Sequence, residues 1–287
     1  MKDIRDSFFE ELISKMKKNK KIIILSVDMG SKTINDNFKI IKERYFNVGV
    51  SEQNAVSTAA GLSRRGYIPF VYGISTFLFN RPRAQIRHDS VIGNAPINLV
   101  GSGAGLTYPQ DGPSHHSVDD FMAISSLPNS SLMTPFDSIS AKKTINLCLT
   151  NKKTNFVKLD KGSEYENHLK YENGFYFQIK NKNKWLISTG KNIFKKSLLA
   201  KYKNYSIANL AITGKFNEKF IKRYIKKSST IIINDETFTY GGLYSYISTI
   251  LSLLYDKKLK NETFSNNFIQ KKYDRDILRK KYGIIWF

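Results

Sequence analysis

Glu52 stands in the segment FNVGVSEQN (46–54), at a turn between an apolar stretch and a small-residue helix. His115 and His116 close a second segment, QDGPSHH (110–116), in a loop shaped by glycine and proline. A carboxylate on one loop and imidazoles on another, each following a strand, suit proton-transfer chemistry at a sheet edge. A lone Glu in a first helical turn is also favourable against the helix dipole, so its neighbours must decide its role. The two histidines with Asp111, Asp119 and Asp120 are metal-ligand types. The Gly-Pro setting lacks a clear third ligand, which argues against a zinc site. Asp111 either binds a substrate hydroxyl or caps its loop. Phe77 and Phe79 in STFLF are candidates for holding a flat ring by stacking and edge contacts, or for ordinary core packing. His88 in QIRHD belongs to a helix surface or subunit contact, and His168 suggests nothing.

The elements that must position these residues alternate between short apolar runs and helical patterns, which points to parallel α/β layers. An amphipathic helix over 3–17 precedes a buried strand over 22–27. A second strand ends near Val48, and Ser51 is a candidate N-cap for the helix that Glu52 opens. Strands follow over 68–72 and 96–100, with a helix around 83–87. Next come a helix over 119–126, a short strand at 132–133, a helix over 138–149 and a strand over 156–159. Residues 160–183 are polar, Lys/Asn-rich and hairpin-like, as in a linker. A second α/β unit then runs through WLIST, SIANLAI and TIIIN, with helices over 193–201, 218–227 and from Leu243. The expected organisation is two α/β domains, 1–170 and 171–287.

Composition bounds the function. The 287 residues hold 41% apolar and 13% aromatic residues, enough for real cores. Lys and Arg number 46 against 24 Asp and Glu, a formal charge of +22. The basic residues are scattered singly and in pairs, without a basic arm, so the charge points to anionic sugars or an acidic partner subunit and not to nucleic acid. A single cysteine, Cys148, excludes an internal disulfide framework and fits a helix packing position in a reducing cytosol. No signal-peptide core or membrane-length apolar run is present, so a cytoplasmic protein is expected.

The chemistry-bearing segments carry a resemblance. NVGVSEQNAVSTAAGLSRRGYIPF, GISTFL with AQIRHD, NAPINLVGSGAGL, DGPSHHSVDD and LMTPFD follow one another over residues 44–138. In order and spacing they resemble the pyrimidine-binding half of transketolases and deoxyxylulose-phosphate synthases. TIIINDETFTYGGL is similar to the family's last domain, where Glu236 and Gly241-Gly242 would shape packing and subunit contact. The resemblance implies thiamine diphosphate as cofactor. The glutamate matching Glu52 hydrogen-bonds the aminopyrimidine N1′ and must keep or share a proton, favouring the imino tautomer that activates the thiazolium. Phe77 and Phe79 would hold the pyrimidine. His115 would touch the substrate carbonyl or hydroxyl, and His116 makes the pair resemble the synthase's Thr-His-His. Two departures stand out. Gly103 occupies a place where transketolases carry histidine. Instead of the phosphate-gripping arginine, KLDKG offers Lys158 and Lys161.

No Gly-Asp-Gly followed downstream by Asn-Asn is present, the family's element for Mg²⁺ and the diphosphate. Those ligands are therefore expected on a separate N-terminal subunit, in an α₂β₂-like assembly acting on sugars or sugar phosphates. The β subunit of a 2-oxo acid dehydrogenase E1 is the alternative enzyme. A catalytically silent subunit on the same scaffold is the alternative outside catalysis.

Overall fold

The computed structural model describes residues 3–162, 169–214, 216–254, 259–264 and 273–281; His168, in the linker, lies outside them. The first sheet contains β1 (Ile22–Ser26), β2 (Tyr45–Asn47), β3 (Ile68–Ile74), β4 (Asn98–Ser102), β5 (Ser130–Met133) and β6 (Thr154–Leu159). All pairings are parallel, in the order β2-β1-β3-β4-β6-β5. A parallel sheet covered on both faces needs apolar residues at consecutive positions, which is why IIILS is buried throughout. Ile22 and Ile24 face one core with Phe8, Phe9 and Leu12 of the Ile4–Lys18 helix. Ile23 and Leu25 face the other, with Ala55, Val56 and Ala59 of the Glu52–Arg64 helix. Those small residues bring helix and sheet close, so the carboxylate at the helix start lies over the strand ends.

The second sheet contains β7 (Lys170–Glu172), β8 (Phe175–Gln178), β9 (Lys184–Thr189), β10 (Ser206–Leu210), β11 (Thr230–Phe238) and β12 (Leu259–Phe264). Its order is β12-β11-β9-β10-β8-β7, parallel from β12 through β10 and antiparallel across β8 and β7. The Asn173-Gly174 turn between β7 and β8 has positive φ at both residues (47° and 86°), the conformation that a two-residue hairpin demands. The hairpin read within 160–183 is thus part of this sheet. The chain therefore has the expected α/β class, with a parallel sheet followed by a mixed one.

Most elements fall within a few residues of expectation, and the departures are local. The helix expected over 193–201 is divided into Gly190–Phe194 and Lys196–Lys201, because Lys195 adopts ψ 129°. Ser51 occupies the N-cap position, but its hydroxyl donates back to the Val48 carbonyl (2.7 Å) and does not cap the helix. Asp137 of LMTPFD is a true cap: it accepts from the Ser140 N–H at 2.7 Å and starts the Ser138–Thr150 helix. Cys148 is buried on that helix, where burial pushes its thiol pKa up. Among the described residues, no helix is long and apolar enough to cross a membrane.

Among the described residues, an apolar cluster shared by both sheets, backbone hydrogen bonds and an ionic seam join the two halves. Thr134 N–H donates to Ala211 O and Thr213 N–H to Leu132 O, continuing β5 into the end of β10. In the ionic seam Arg275, on the Arg275–Lys281 helix, donates to Asp160 Oδ2 at 2.9 Å and to Glu236 Oε2 at 2.7 Å. Glu236 also accepts from Arg279, which is fully buried, and from the Leu106 N–H at 3.0 Å. Burial pulls Asp160 upward, but the charges of Arg275 and Lys191 outweigh it and hold the carboxyl below its ordinary value. A depressed carboxylate adds stability above its unfolded pKa, about 3.9, and that stability is lost as pH falls through the lower folded value. Wild type is therefore expected to lose thermal stability as pH drops below about 4, and Asp160→Asn to lose markedly less over the same interval. Differential scanning calorimetry of both proteins checks this.

Candidate active site

The site is built on the carboxyl ends of β2, β3 and β4. Here the chain order reverses across β1, the usual location of a ligand crevice in doubly wound sheets. After β2, Gly49 with φ 73° turns the chain into the helix and Asn47 Oδ1 accepts its N–H at 3.0 Å. That turn delivers Glu52 with its side chain only 9% exposed. After β3, the Ser75–Asn80 helix presents Phe77 half-buried on the same edge. After β4, the glycine-rich loop runs to Pro113–His115 and brings the His115 ring 5.0 Å from Phe77, edge-on at 73°.

The structure thus brings Glu52, Phe77 and His115 to one edge, and adds two residues that sequence reasoning missed. Arg81 Nη1 donates to Glu52 Oε1 at 2.7 Å, and its guanidinium carbon lies 4.0 Å from the centroid of the Phe77 ring. Phe77 and Arg81 are four residues apart, a spacing that places side chains together on a helix and was the available signal. Tyr108 shares a hydrogen bond with Ser102 (2.7 Å), and its ring lies 6.5 Å from that of His115. It also explains Gly103: a Cβ there would come within 2.4 Å of the Tyr108 ring, in a backbone with φ 95°. Tyr108 fills the space that a side chain at position 103 would need.

Other candidates stand elsewhere. Phe79 is 1% exposed and packs edge-on against Phe156, inside the core behind the site. A ring so enclosed has no face to offer a ligand, and its role is packing. His116 is fully buried with neither ring nitrogen hydrogen-bonded. Burial pushes its pKa down, keeping the imidazole neutral, and a substrate does not reach it in this conformation. Asp111 is exposed on the loop rim, just before Gly112. Lys158 does not face the site: its Nζ is buried and donates to Asp120 Oδ1 (2.8 Å) and Ser117 O (2.9 Å), bracing the loop from below. The Lys161 side chain is exposed, and its backbone is held by Asp160 Oδ1 (2.7 Å) and the Lys191 ammonium. His88 lies on an exposed helix surface beside Arg87. Among the described residues, no group of three or more His, Cys, Asp or Glu side chains is placed to hold a metal.

The two phenylalanines separate in experiment. Phe79→Ala is expected to cost about 3–5 kcal/mol of stability through lost packing and a cavity. Phe77→Ala, at a half-buried position, is expected to leave most of the stability in place. Urea unfolding of both variants distinguishes these effects.

A pairing of Glu52 with an aromatic face and a flat N–H-bearing group already exists here, with the Arg81 guanidinium as that group. These residues therefore fit an aminopyrimidine, which offers the same plane and rim.

Comparison with known proteins gives the family and the fold. Residues 1–163 match the family described as transketolase, pyrimidine binding domain. The chain is 28% identical over 288 residues to the 1-deoxy-D-xylulose-5-phosphate synthase of Clostridium kluyveri, covering 96% of this chain and 46% of the synthase. It spans about half the length of such relatives. It is 26% identical over 295 residues to a Methanocaldococcus jannaschii protein named as a transketolase C-terminal section, covering 99% of this chain and 92% of that one. In fold it is similar to a split-gene transketolase solved as an inactive beta4 tetramer, with TM-score 0.83, 21% identity and coverage of 98% and 94%. Transketolase from Leishmania mexicana gives TM-score 0.79 at 14% identity, covering 98% of this chain and 43% of that one. With the family match extending over more than half of its residues, this chain belongs to the transketolase pyrimidine-binding-domain family.

Proposed function

We propose that this chain is the pyrimidine-binding subunit of a split, thiamine diphosphate-dependent transketolase that moves a two-carbon ketol unit between sugars. The observation that carries the reading is the convergence of Glu52, Phe77 and His115 at the carboxyl ends of strands of one parallel sheet in a member of this family. Bound thiamine diphosphate supplies the electron sink for breaking and forming carbon–carbon bonds. This chain's residues do the rest. Glu52 hydrogen-bonds the pyrimidine N1′ from a side chain that is 9% exposed. Phe77 fixes the ring plane. His115, at the open side of Phe77, moves a proton to and from a substrate oxygen. Asp111 and Lys161, both exposed, are the groups for a sugar hydroxyl and a phosphate. Mg²⁺ and the diphosphate fall to a separate N-terminal subunit, with copies of this chain associating in an α₂β₂-like assembly in the cytoplasm.

A second reading draws on the adjacent histidines and on the several relatives named as 1-deoxy-D-xylulose-5-phosphate synthases. The assembled enzyme, supplied with thiamine diphosphate and Mg²⁺, is assayed for both products. Ketol transfer between sugars supports the first reading and formation of 1-deoxy-D-xylulose 5-phosphate the second. Loss of neither activity in a His115→Ala variant would remove the role assigned to that imidazole.

A further inference from the structure

Both residues assigned to the pyrimidine are engaged by one side chain. Arg81 donates to Glu52 Oε1 at 2.7 Å and lays its guanidinium 4.0 Å above the Phe77 ring. A guanidinium is flat, carries N–H donors on its rim and stacks well on aromatic faces. Those are the properties that an aminopyrimidine would present to the same two residues. A ring hydrogen-bonded to Glu52 and a guanidinium hydrogen-bonded to the same oxygen compete for one place.

We propose that Arg81 is a positioning residue that fills the pyrimidine seat in the chain without cofactor, holding Glu52 and Phe77 ready, and swings out when the cofactor binds. The proposal rests on the reading of Glu52 and Phe77 given above. The geometry favours exchange over permanence. The Arg81 side chain is 46% exposed, whereas the Glu52 side chain is 9% exposed. The carboxylate is thus fixed by the fold, while its partner lies at the solvent side on a long flexible stem. A half-exposed ion pair is weak because water and salt compete for both charges. The Arg81 backbone is anchored separately, its N–H donating to the Phe77 carbonyl at 3.0 Å, so the side chain can leave without unwinding the helix. Seat occupancy by Arg81 lowers the apparent affinity for the cofactor by the fraction of time the seat is free. It also keeps a mostly buried carboxylate paired before a partner subunit arrives.

The test uses the purified full chain and free thiamine, which carries the pyrimidine but no diphosphate. Binding is read by ligand-observed NMR for wild type, Arg81→Ala, Arg81→Lys, Glu52→Gln and the Glu52→Gln/Arg81→Ala double variant. Thermal unfolding verifies that each is folded. With the seat free about one-tenth of the time, Arg81→Ala binds thiamine about tenfold more tightly than wild type. Arg81→Lys, which keeps charge but lacks the plane, falls between them. In wild type the Arg81 Nε–H resonance shifts to a solvent-like position as thiamine saturates. Unchanged, weaker or undetectable binding in Arg81→Ala, with Glu52→Gln still harmful, overturns the proposal and makes Arg81 a support of the seat. If Glu52→Gln leaves thiamine binding intact in both backgrounds, the pyrimidine reading of Glu52 itself fails and the seat with it.

Discussion

Glu52→Gln is expected to lower ketol transfer by the assembled enzyme about 10³-fold, within the range for removing a positioned proton donor or acceptor. The amide preserves size and can still accept a hydrogen bond, so the fold and thermal midpoint stay close to wild type. The effect follows from burial: the Glu52 side chain is 9% exposed at the start of the Glu52–Arg64 helix, where bulk water does not substitute for a missing proton. On the proposed reading the carboxylate acts on cofactor activation and not on sugar binding, so the loss should fall on kcat. Steady-state kinetics at saturating thiamine diphosphate checks this. A variant retaining near-normal kcat would remove Glu52 from the chemistry.

The second large effect is structural. Glu236→Gln is expected to cost about 3–5 kcal/mol of unfolding free energy, measured by urea denaturation. This carboxylate is 4% exposed and accepts from Arg275 at 2.7 Å, from the fully buried Arg279 and from the Leu106 N–H at 3.0 Å. Neutralising it leaves the buried Arg279 and the partly buried Arg275 short of a charge that compensated their desolvation. The loss should reach the site as well, because Leu106 lies on the loop that leads to His115. Gly105 belongs to the same contact: with φ 56°, a Cβ there would come within 2.3 Å of Glu236 Oε2. A stability change below about 1 kcal/mol would mean that the ionic seam contributes little to holding the sheets together.

Local pattern carried much of the fold. The run IIILSV and the small-residue helix after Glu52 each answer to a rule spanning a few residues, and the observed elements follow them. Contacts between distant residues were not legible. Lys158 reads as a phosphate-binding candidate in KLDKG, but its ammonium is consumed by Asp120, 38 residues earlier. Glu236 and Arg275 are 39 residues apart, with no periodicity to join them. Phe77 and Phe79 look alike in STFLF, yet one-residue steps of a helix point them apart, one to the edge and one to the core. His115 and His116 divide in the same way at the end of the Pro113–His115 3₁₀ turn, the first toward Phe77 and the second into the interior. Tyr108 was invisible because its meaning depends on the absent side chain of Gly103. The β12 strand and the Arg275–Lys281 helix went unread because charged, polar stretches hide their period.

The central claim is that this chain contributes half of a thiamine diphosphate site. The direct measurement titrates it with a chain carrying the family's diphosphate-binding domain, at fixed thiamine diphosphate and Mg²⁺, and follows ketol transfer. The account predicts no turnover by either chain alone and activity rising to a plateau at equal amounts of the two. Full activity of this chain by itself, or a silent mixture in which the two chains are demonstrably assembled, would contradict it.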